Sequence, residues 1–398
     1  MTNITETPSA KLPVKKKIWI NIYFFAVTTL GAVAGAPLYI HHYGISAFEI
    51  ALFLFFTTAT ALSITVGYHR LYAHGTYQAH PAVRALLLFF GAASFEQSAF
   101  KWASQHRDHH AFTDTERDPY NIKKGFFYAH MGWLIFWDQG INYENAKDLQ
   151  KDKLVMHQHN YYILWAVGAG ILLPLLIGAL AGHLLGAFIF GVCLRITVVY
   201  HSTFFINSVC HMFGNSSYDA KITARDHWFV ALLTFGEGYH NFHHRFPSDY
   251  RNGVRWYHWD PSKWVIALLG RAGLATNLKK ISEFRIVEAR LAGEKLLLAE
   301  RLKNLDNPAL LERIQDALHL HHGQLRSLLK TWESAHKERF EHSLNHAADL
   351  SGQMRLGAME KLKAARKQFL ETRKVWNSFL DRDPQLLSRE LLSLAKAA

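Results

Sequence analysis

Cysteine is scarce in this chain: 2 in 398 residues, Cys193 and Cys210, with no CxxC spacing. That excludes a disulfide-built fold and a cysteine-ligated zinc or iron–sulfur centre. Positive charge is missing from one long stretch and all charge from another. Residues 18–69 contain no lysine or arginine, and residues 154–194 contain no charged side chain. About 20 apolar residues cross a bilayer core of roughly 30 Å, so both stretches are long enough to enter a membrane. There is no GxGxxG turn of a dinucleotide fold, no His-Pro-Gly-Gly haem motif and no repeat of fixed period.

The cationic excess is large, with a net charge of +12. The basic residues are spread along the segments outside the apolar runs, and no nucleic-acid motif accompanies them. A face resting on anionic lipid, or meeting an anionic substrate, accounts for them better than a nucleic acid does.

The hydropathy pattern predicts four spans, at about 18–40, 46–68, 161–181 and 183–206. Short turns at His41–Gly44 and Ala181–Gly182 join them into two hairpins. Lys11, Lys15, Lys16 and Lys17 precede the first span, and neither hairpin turn carries lysine or arginine. The loop from 69 to 160 carries many. By the positive-inside rule both termini and the large loop face the cytoplasm. The first apolar run is too long for a cleaved signal and reads as retained. Residues 83–99 are apolar but hold Arg84 and Glu96, and read as an interfacial or buried helix. Arg195 interrupts the fourth span, which suggests an early end and a continuation into the cytoplasmic part. The fold class is therefore all-α integral membrane: four transmembrane helices in two hairpins, a cytoplasmic helical domain and a C-terminal helical extension. Residues 1–17 form a cytoplasmic start, 18–278 the membrane domain and 279–398 a charged extension. The extension has Leu and Phe stripes with breaks at Asn307-Pro308 and Asp383-Pro384.

What the chain has in abundance is histidine, 25 residues. Three clusters stand on one side of the hairpins: His69 with His74, His106 with His109 and His110, and His240 with His243 and His244. Asn207 and His211 form a fourth piece. Positions i, i+3 and i+4 share one face of a helix, so each HxxHH triplet can aim at one point. His69 and His74 are five apart, about 140° round an α-helix, and would more readily serve two ions side by side. All-nitrogen ligation suits Fe, Cu, Zn or Ni. Nine imidazoles exceed two tetrahedral sites and fit two five- or six-coordinate irons better. His41, His42, His80, His130, His157, His159, His183, His319, His321 and His322 read as ordinary surface or core residues.

These clusters, with Gly67-Tyr-His-Arg-Leu-Tyr-Ala-His74, Asp118-Pro-Tyr-Asn121, Gly125 to Trp133, Asn207-Ser-Val-Cys-His211 and Gly236 to His244, resemble the integral-membrane fatty acyl desaturases of the acyl-CoA Δ9 type. The resemblance covers about residues 18–275. It implies one iron on His69, His110, His211, His240 and His244. The second would take His74, His106, His109 and His243, with Asn207 reaching it through a water. No catalytic residue beyond these ligands is implied. It further implies a bent acyl tunnel past Trp102, Thr203 and Phe204, and Lys123 and Lys124 at an anionic head group. Ser104, Gln105 and Glu96 depart from the animal pattern, which leaves CoA or a phospholipid as the acyl carrier.

The activity implied is O2-dependent insertion of a cis double bond, with the metals carrying the hard step. Two electrons come from a separate donor: a reductase, a ferredoxin or a cytochrome b5-like protein. Membrane lipids are the other partner. Two other readings are a related di-iron hydroxylase of alkane or lipid, separable by its alcohol product, and a non-enzymatic metal-binding scaffold, separable by metal analysis with oxygen uptake.

Overall fold

The computed structural model describes residues 17–136, 140–303, 308–345 and 352–381. Of the expected N-terminal segment only Lys17 is among them, and Asn307 and the Asp383-Pro384 break also lie outside. Among the described residues the chain is almost wholly helical, with one two-stranded antiparallel sheet, Gln78–Ala79 against Ala275–Thr276.

Four helices are long and apolar enough to cross a membrane: Trp19–Tyr43, Ala47–Ala73, Tyr162–Leu180 and Leu184–His211. The second and fourth run past the expected ends at 68 and 206. At 27 and 28 residues, and 1.5 Å per residue, each is about 40 Å long, more than a bilayer core needs. The surplus turns carry His69 and His211. Arg195 does not end the fourth helix. It is fully buried, and its guanidinium donates to the carbonyls of Gly170 (2.6 Å), Gly191 (3.0 Å) and Ala93. The apolar stretch from 83 is helical only as far as Ala92. After it the chain turns, with Phe95 at φ 61° and Gln97 at φ 78°, and Glu96 lies between them.

Each hairpin turns on a glycine in the left-handed region, Gly44 (φ 72°) and Gly182 (φ 78°). Ser46 caps the second span in a capping box with Glu49. The buried Glu49 carboxylate also accepts from Tyr39 Oη (2.9 Å) and meets His183 Nδ1 (2.7 Å), which ties the two turns together. His183 thus has a structural partner.

The chain divides into two compact units. The first holds the residues up to Gly214 with Thr223–Lys280, and the second holds Asn215–Ile222 with the chain from Ile281 on. In the second, Glu283–Leu302, Pro308–Asn345 and Gly352–Asp381 bury Leu291, Leu298, Ile314, Leu318, Phe369, Trp376 and Phe379 against one another. The Leu and Phe stripes are partners for each other, as amphipathic helices require. Buried Glu294 accepts from Arg373 (2.6 Å), Arg290 (3.0 Å) and Trp376 Nε1 (2.9 Å) inside that core.

Candidate metal centre

The histidines come from the ends of two long helices, from Ala99–Phe112 and from His240–Arg245. Ser98 caps the helix Ala99–Phe112, its Oγ accepting from Lys101 N. From that helix His106, His109 and His110 project together. His240–Arg245 is a single helical segment of six residues. Its Phe242 N–H donates to Asp226 at 3.0 Å. Burial pushes the Asp226 carboxyl up to about 7.

The ring nitrogens gather in two groups, one of His69, His74, His106, His110 and His243, the other of His109, His211, His240 and His244. Within each group the ligand atoms lie within 4.8 Å of one another. This differs from the division the resemblance implies. His69 is not separated from His74, His110 falls with both, and His109 changes group. The helical winding explains the first of these differences. Ser63–Ala73 is wound as a π-helix, and His74 N–H donates to His69 C=O at 3.1 Å, an i→i+5 bond. That winding brings residues five apart onto one face, where an α-helix would hold them about 140° apart.

The donor set fits a metal. His69 Nε2 is 2.9 Å from His243 Nε2, which is 2.9 Å from His110 Nε2; His74 and His106 Nε2 are 2.9 Å apart. In the other group His240 Nε2 is 3.1 Å from His211 Nε2 and 3.0 Å from His244 Nε2. Three of the opposite nitrogens have polar partners outside the two groups. His109 Nδ1 meets Asp118 Oδ1 at 2.7 Å, and His69 Nδ1 lies 2.7 Å from Glu237 Oε2. His211 Nδ1 meets Thr223 Oγ1 at 2.7 Å, and that hydroxyl donates to Asp114 Oδ1 at 2.5 Å. A carboxylate can only accept, so in these three rings the proton sits on Nδ1 and the Nε2 lone pair points inward. Lone pairs converging at such distances repel unless a cation lies among them. Burial first, then the neighbouring imidazoles, hold His74, His106, His110, His240, His243 and His244 well below the usual histidine range. They are neutral, the form that ligates.

A carboxylate layer invisible in the sequence stands behind these rings. Glu237 also accepts from Arg70 Nε (3.1 Å), Arg70 Nη2 (2.9 Å) and Asn252 Nδ2 (2.6 Å). Burial alone would raise its carboxyl; His69 and Arg70 beside it hold it below the usual range. Asp260, also buried, takes the other side of Arg70 at 2.9 Å and caps the helix Pro261–Arg271. Glu237 lies 168 positions from His69 and Asp260 190 from Arg70, so no local spacing signals them.

An apolar cavity of about 290 Å³ reaches this centre. His69, His106 and His240 line it, with Trp102, Thr203, Phe204 and Asn207. Trp102 stacks on His106 with ring centroids 4.8 Å apart. Its Nε1 donates to Glu96 Oε2 at 3.1 Å, and Thr203 Oγ1 lies 3.0 Å from Glu96 Oε1. Phe204 is buried and stacks on Tyr200. Gln105 also lines the cavity, whereas Ser104 turns away to donate to Asn142 C=O at 2.7 Å. The structure does not bring Lys123 and Lys124 to the cavity wall. Lys123 Nζ donates to Asp114 C=O at 2.9 Å, and Lys124 pairs with Glu116 at 3.1 Å.

The same residues carry the likeness to known proteins. Residues 46–275 match the fatty acid desaturase family, a span that holds all nine convergent imidazoles. Acyl-CoA desaturase 1 of Saccharomyces cerevisiae is 40% identical over 286 residues, 70% of this chain and 54% of that protein. A probable acyl-CoA desaturase of Schizosaccharomyces pombe is 43% identical over 57% of this chain and 48% of its own length. The chain thus spans about half the length of these two relatives. It spans more of others. Stearoyl-CoA desaturase 4 of Mus musculus is 35% identical over 72% of this chain and 81% of its own length. For the sn-1 stearoyl-lipid 9-desaturase of Anabaena variabilis the figures are 35%, 66% and 93%. With four apolar helices beneath two nests of imidazole nitrogen, and a match over more than half its length, this chain belongs to the fatty acid desaturase family.

Proposed function

We propose that the chain introduces a cis double bond, at the Δ9 position, into a saturated acyl chain carried by CoA or by a lipid. The observation that carries this reading is one continuous wall: the apolar cavity that holds Phe24, Phe25, Ile64 and Phe204 also holds His69, His106 and His240. Two iron ions held by the nine imidazoles would supply the oxidising chemistry, with O2 as co-substrate and two electrons from a separate donor. A mid-chain methylene has no activating group, so acid–base residues alone cannot break its C–H bonds. What the chain's own residues contribute is position and dryness. Trp102, held between His106 and Glu96, forms a flat wall beside the ligand nitrogens, and Thr203 faces the same carboxyl. Among the relatives, an acyl-CoA desaturase and an sn-1 stearoyl-lipid 9-desaturase support an acyl substrate and both carriers.

The test is lipid analysis by gas chromatography–mass spectrometry after expression in a host that makes no unsaturated acids. A new cis double bond between carbons 9 and 10 is the expected product. An alcohol in its place would indicate a hydroxylase, and no product with loaded metal would leave a binding protein. Comparing acyl-CoA with acyl-lipid as substrate for the purified protein identifies the carrier.

Phe204 is assigned to the limit of the acyl passage. Phe204→Ala should move the preferred chain length upward by about two carbons, since a lost phenyl leaves room for two or so methylenes. An unchanged product profile returns Phe204 to ordinary packing.

The catalytic face and both termini are assigned to the cytoplasm, on the lysine and arginine asymmetry of the loops. The excess of +12 then faces anionic lipid and suits an acidic donor protein: a reductase, a ferredoxin or a cytochrome b5-like partner. A reporter placed after Gly44 or Gly182 should read the outer side, and one after Leu154 the cytoplasm. The reverse pattern would overturn the orientation. The helices from Ile281 onward serve packing or self-association and not the chemistry. The two metal-capable groups found among the described residues both lie before them.

A further inference from the structure

A hydrocarbon chain has no use for a carboxylate, yet the apolar cavity contains one. Glu96 lines it beside Trp102 and Thr203. One carboxyl oxygen accepts from Trp102 Nε1 at 3.1 Å. The other lies 3.0 Å from Thr203 Oγ1, which also lies 3.1 Å from the Val199 carbonyl oxygen. A threonine hydroxyl has one hydrogen, and a carbonyl oxygen can only accept. One hydrogen can be shared between two acceptors only as a weaker three-centre bond; for each contact to be a full two-centre bond, the second hydrogen sits on Glu96.

The surroundings agree with that count. The titratable groups facing the carboxyl are Tyr68 of the second span, Tyr162 of the third, Tyr200 of the fourth and Tyr120 of the loop after Phe112. These four are phenols, with an ordinary pKa of about 10; the other ionisable groups lining the cavity are His69, His106, His240 and Glu237 of the metal centre. From the first span Phe24 packs on Phe95 and brings no charge. Arg195, on the fourth span, is occupied by three carbonyls. Lys101, on the helix that follows, makes no ion pair with the acid among the described residues. Burial pushes the Glu96 carboxyl up to about 7, against the opposing pull of its bonds to Thr203 and Trp102.

We propose that Glu96 works as a neutral acid, a positioning residue whose proton completes a Trp102–Glu96–Thr203–Val199 bridge and holds the acyl passage in shape beside the metal centre. The proposal rests on the desaturase reading given above. When the proton leaves, the bridge loses a hydrogen and an unpaired carboxylate is left in an apolar wall. Such a group draws water and displaces the chain it should guide. Glu96→Gln keeps the shape and mimics the protonated form, since its amide N–H can donate to Thr203 while its oxygen accepts from Trp102.

The experiment follows desaturation by the metal-loaded full chain in lipid nanodiscs, wild type against Glu96→Gln, from pH 6 to 8.5 with saturating donor. The ratio of wild-type to variant rate removes the pH dependence of donor and metal. For a group titrating near 7 it should fall roughly thirtyfold over that range if only the acid form works. An infrared difference spectrum, wild type minus Glu96→Gln, gives a second readout that needs no turnover. It should show a protonated-carboxyl band at pH 6 that disappears with a midpoint near 7. A flat ratio, or no such band at pH 6, overturns the proposal. Absence of a double bond from both chains at every pH would instead overturn the desaturase reading, and the infrared band would still decide where the proton is.

Discussion

A His243→Ala chain should insert into the membrane, carry about one metal ion in place of the two proposed for the wild type, and lose desaturation by a hundredfold or more. His243 Nε2 stands 2.9 Å from both His69 and His110 nitrogens, at the middle of its group. Removing it opens a coordination position and leaves the lone pairs of its neighbours without a shared cation. Losing a residue that merely orients a ligand typically costs ten- to a hundredfold in affinity or activity, and losing the ligand itself costs more. The measurement is metal per folded chain by mass spectrometry together with product formation. His319→Ala is the control: that imidazole is exposed and its hydrogen bond among the described residues is to Lys295 in the C-terminal unit. Full activity in His243→Ala would refute the ligand assignment.

Glu237→Ala should weaken both metal retention and the fold. The side chain holds His69 Nδ1 at 2.7 Å and half of a guanidinium that is 1% exposed. With the carboxylate gone, Arg70 keeps Asp260 and the Tyr250 carbonyl, but Arg70 Nε and Asn252 Nδ2 lose their buried acceptor. Each buried donor left without a partner costs about 1–3 kcal/mol, and freeing the ligand ring costs roughly tenfold to a hundredfold in metal affinity. Thermal unfolding and a metal titration read the two effects separately. The pH dependence has a definite sign. The folded-state value of this carboxyl is depressed, so its contribution is present above the ordinary glutamate value of about 4.3 and is lost as pH falls through the depressed one. The stability gap between wild type and Glu237→Ala should therefore be full at neutral pH and close in acid. A gap that stays constant into acid would show that Glu237 acts by packing alone.

The helical membrane architecture was legible because its signals are local. Apolar runs announce spans, and the HxxHH triplets announce a shared helical face. What stayed hidden depends on contacts across the chain or on a change of winding. Nothing in Ser63–Ala73 marks a π-helix, and α-helical arithmetic placed His69 and His74 apart where the structure places them together. Glu237, Asp118, Thr223 and Asp114 are ordinary polar residues until folding sets them behind an imidazole. Glu96 was visible as a charge in an apolar stretch, but its bond to Thr203, 107 positions away, was not. Lys123 and Lys124 read as an anion-binding pair; the contacts of their ammonium groups with the Asp114 carbonyl and with Glu116 come from the fold and not from the spacing.

The guanidinium of Arg195 bears on how the protein is made. A lone arginine near the middle of a helix opposes insertion by about 2.5–3.5 kcal/mol on translocon scales. Its receiving carbonyls belong to Gly170 on the preceding span, Gly191 one turn back, and Ala93 at the end of a helix made earlier still. Two of the three are absent from the fourth span itself. During synthesis that span is therefore poorly suited to leave the translocon as an isolated segment. It partitions best together with the third, as a hairpin, once Ala93 has emerged and can receive the charge. The order of residues along the chain meets that requirement, since every acceptor is translated before the arginine that needs it.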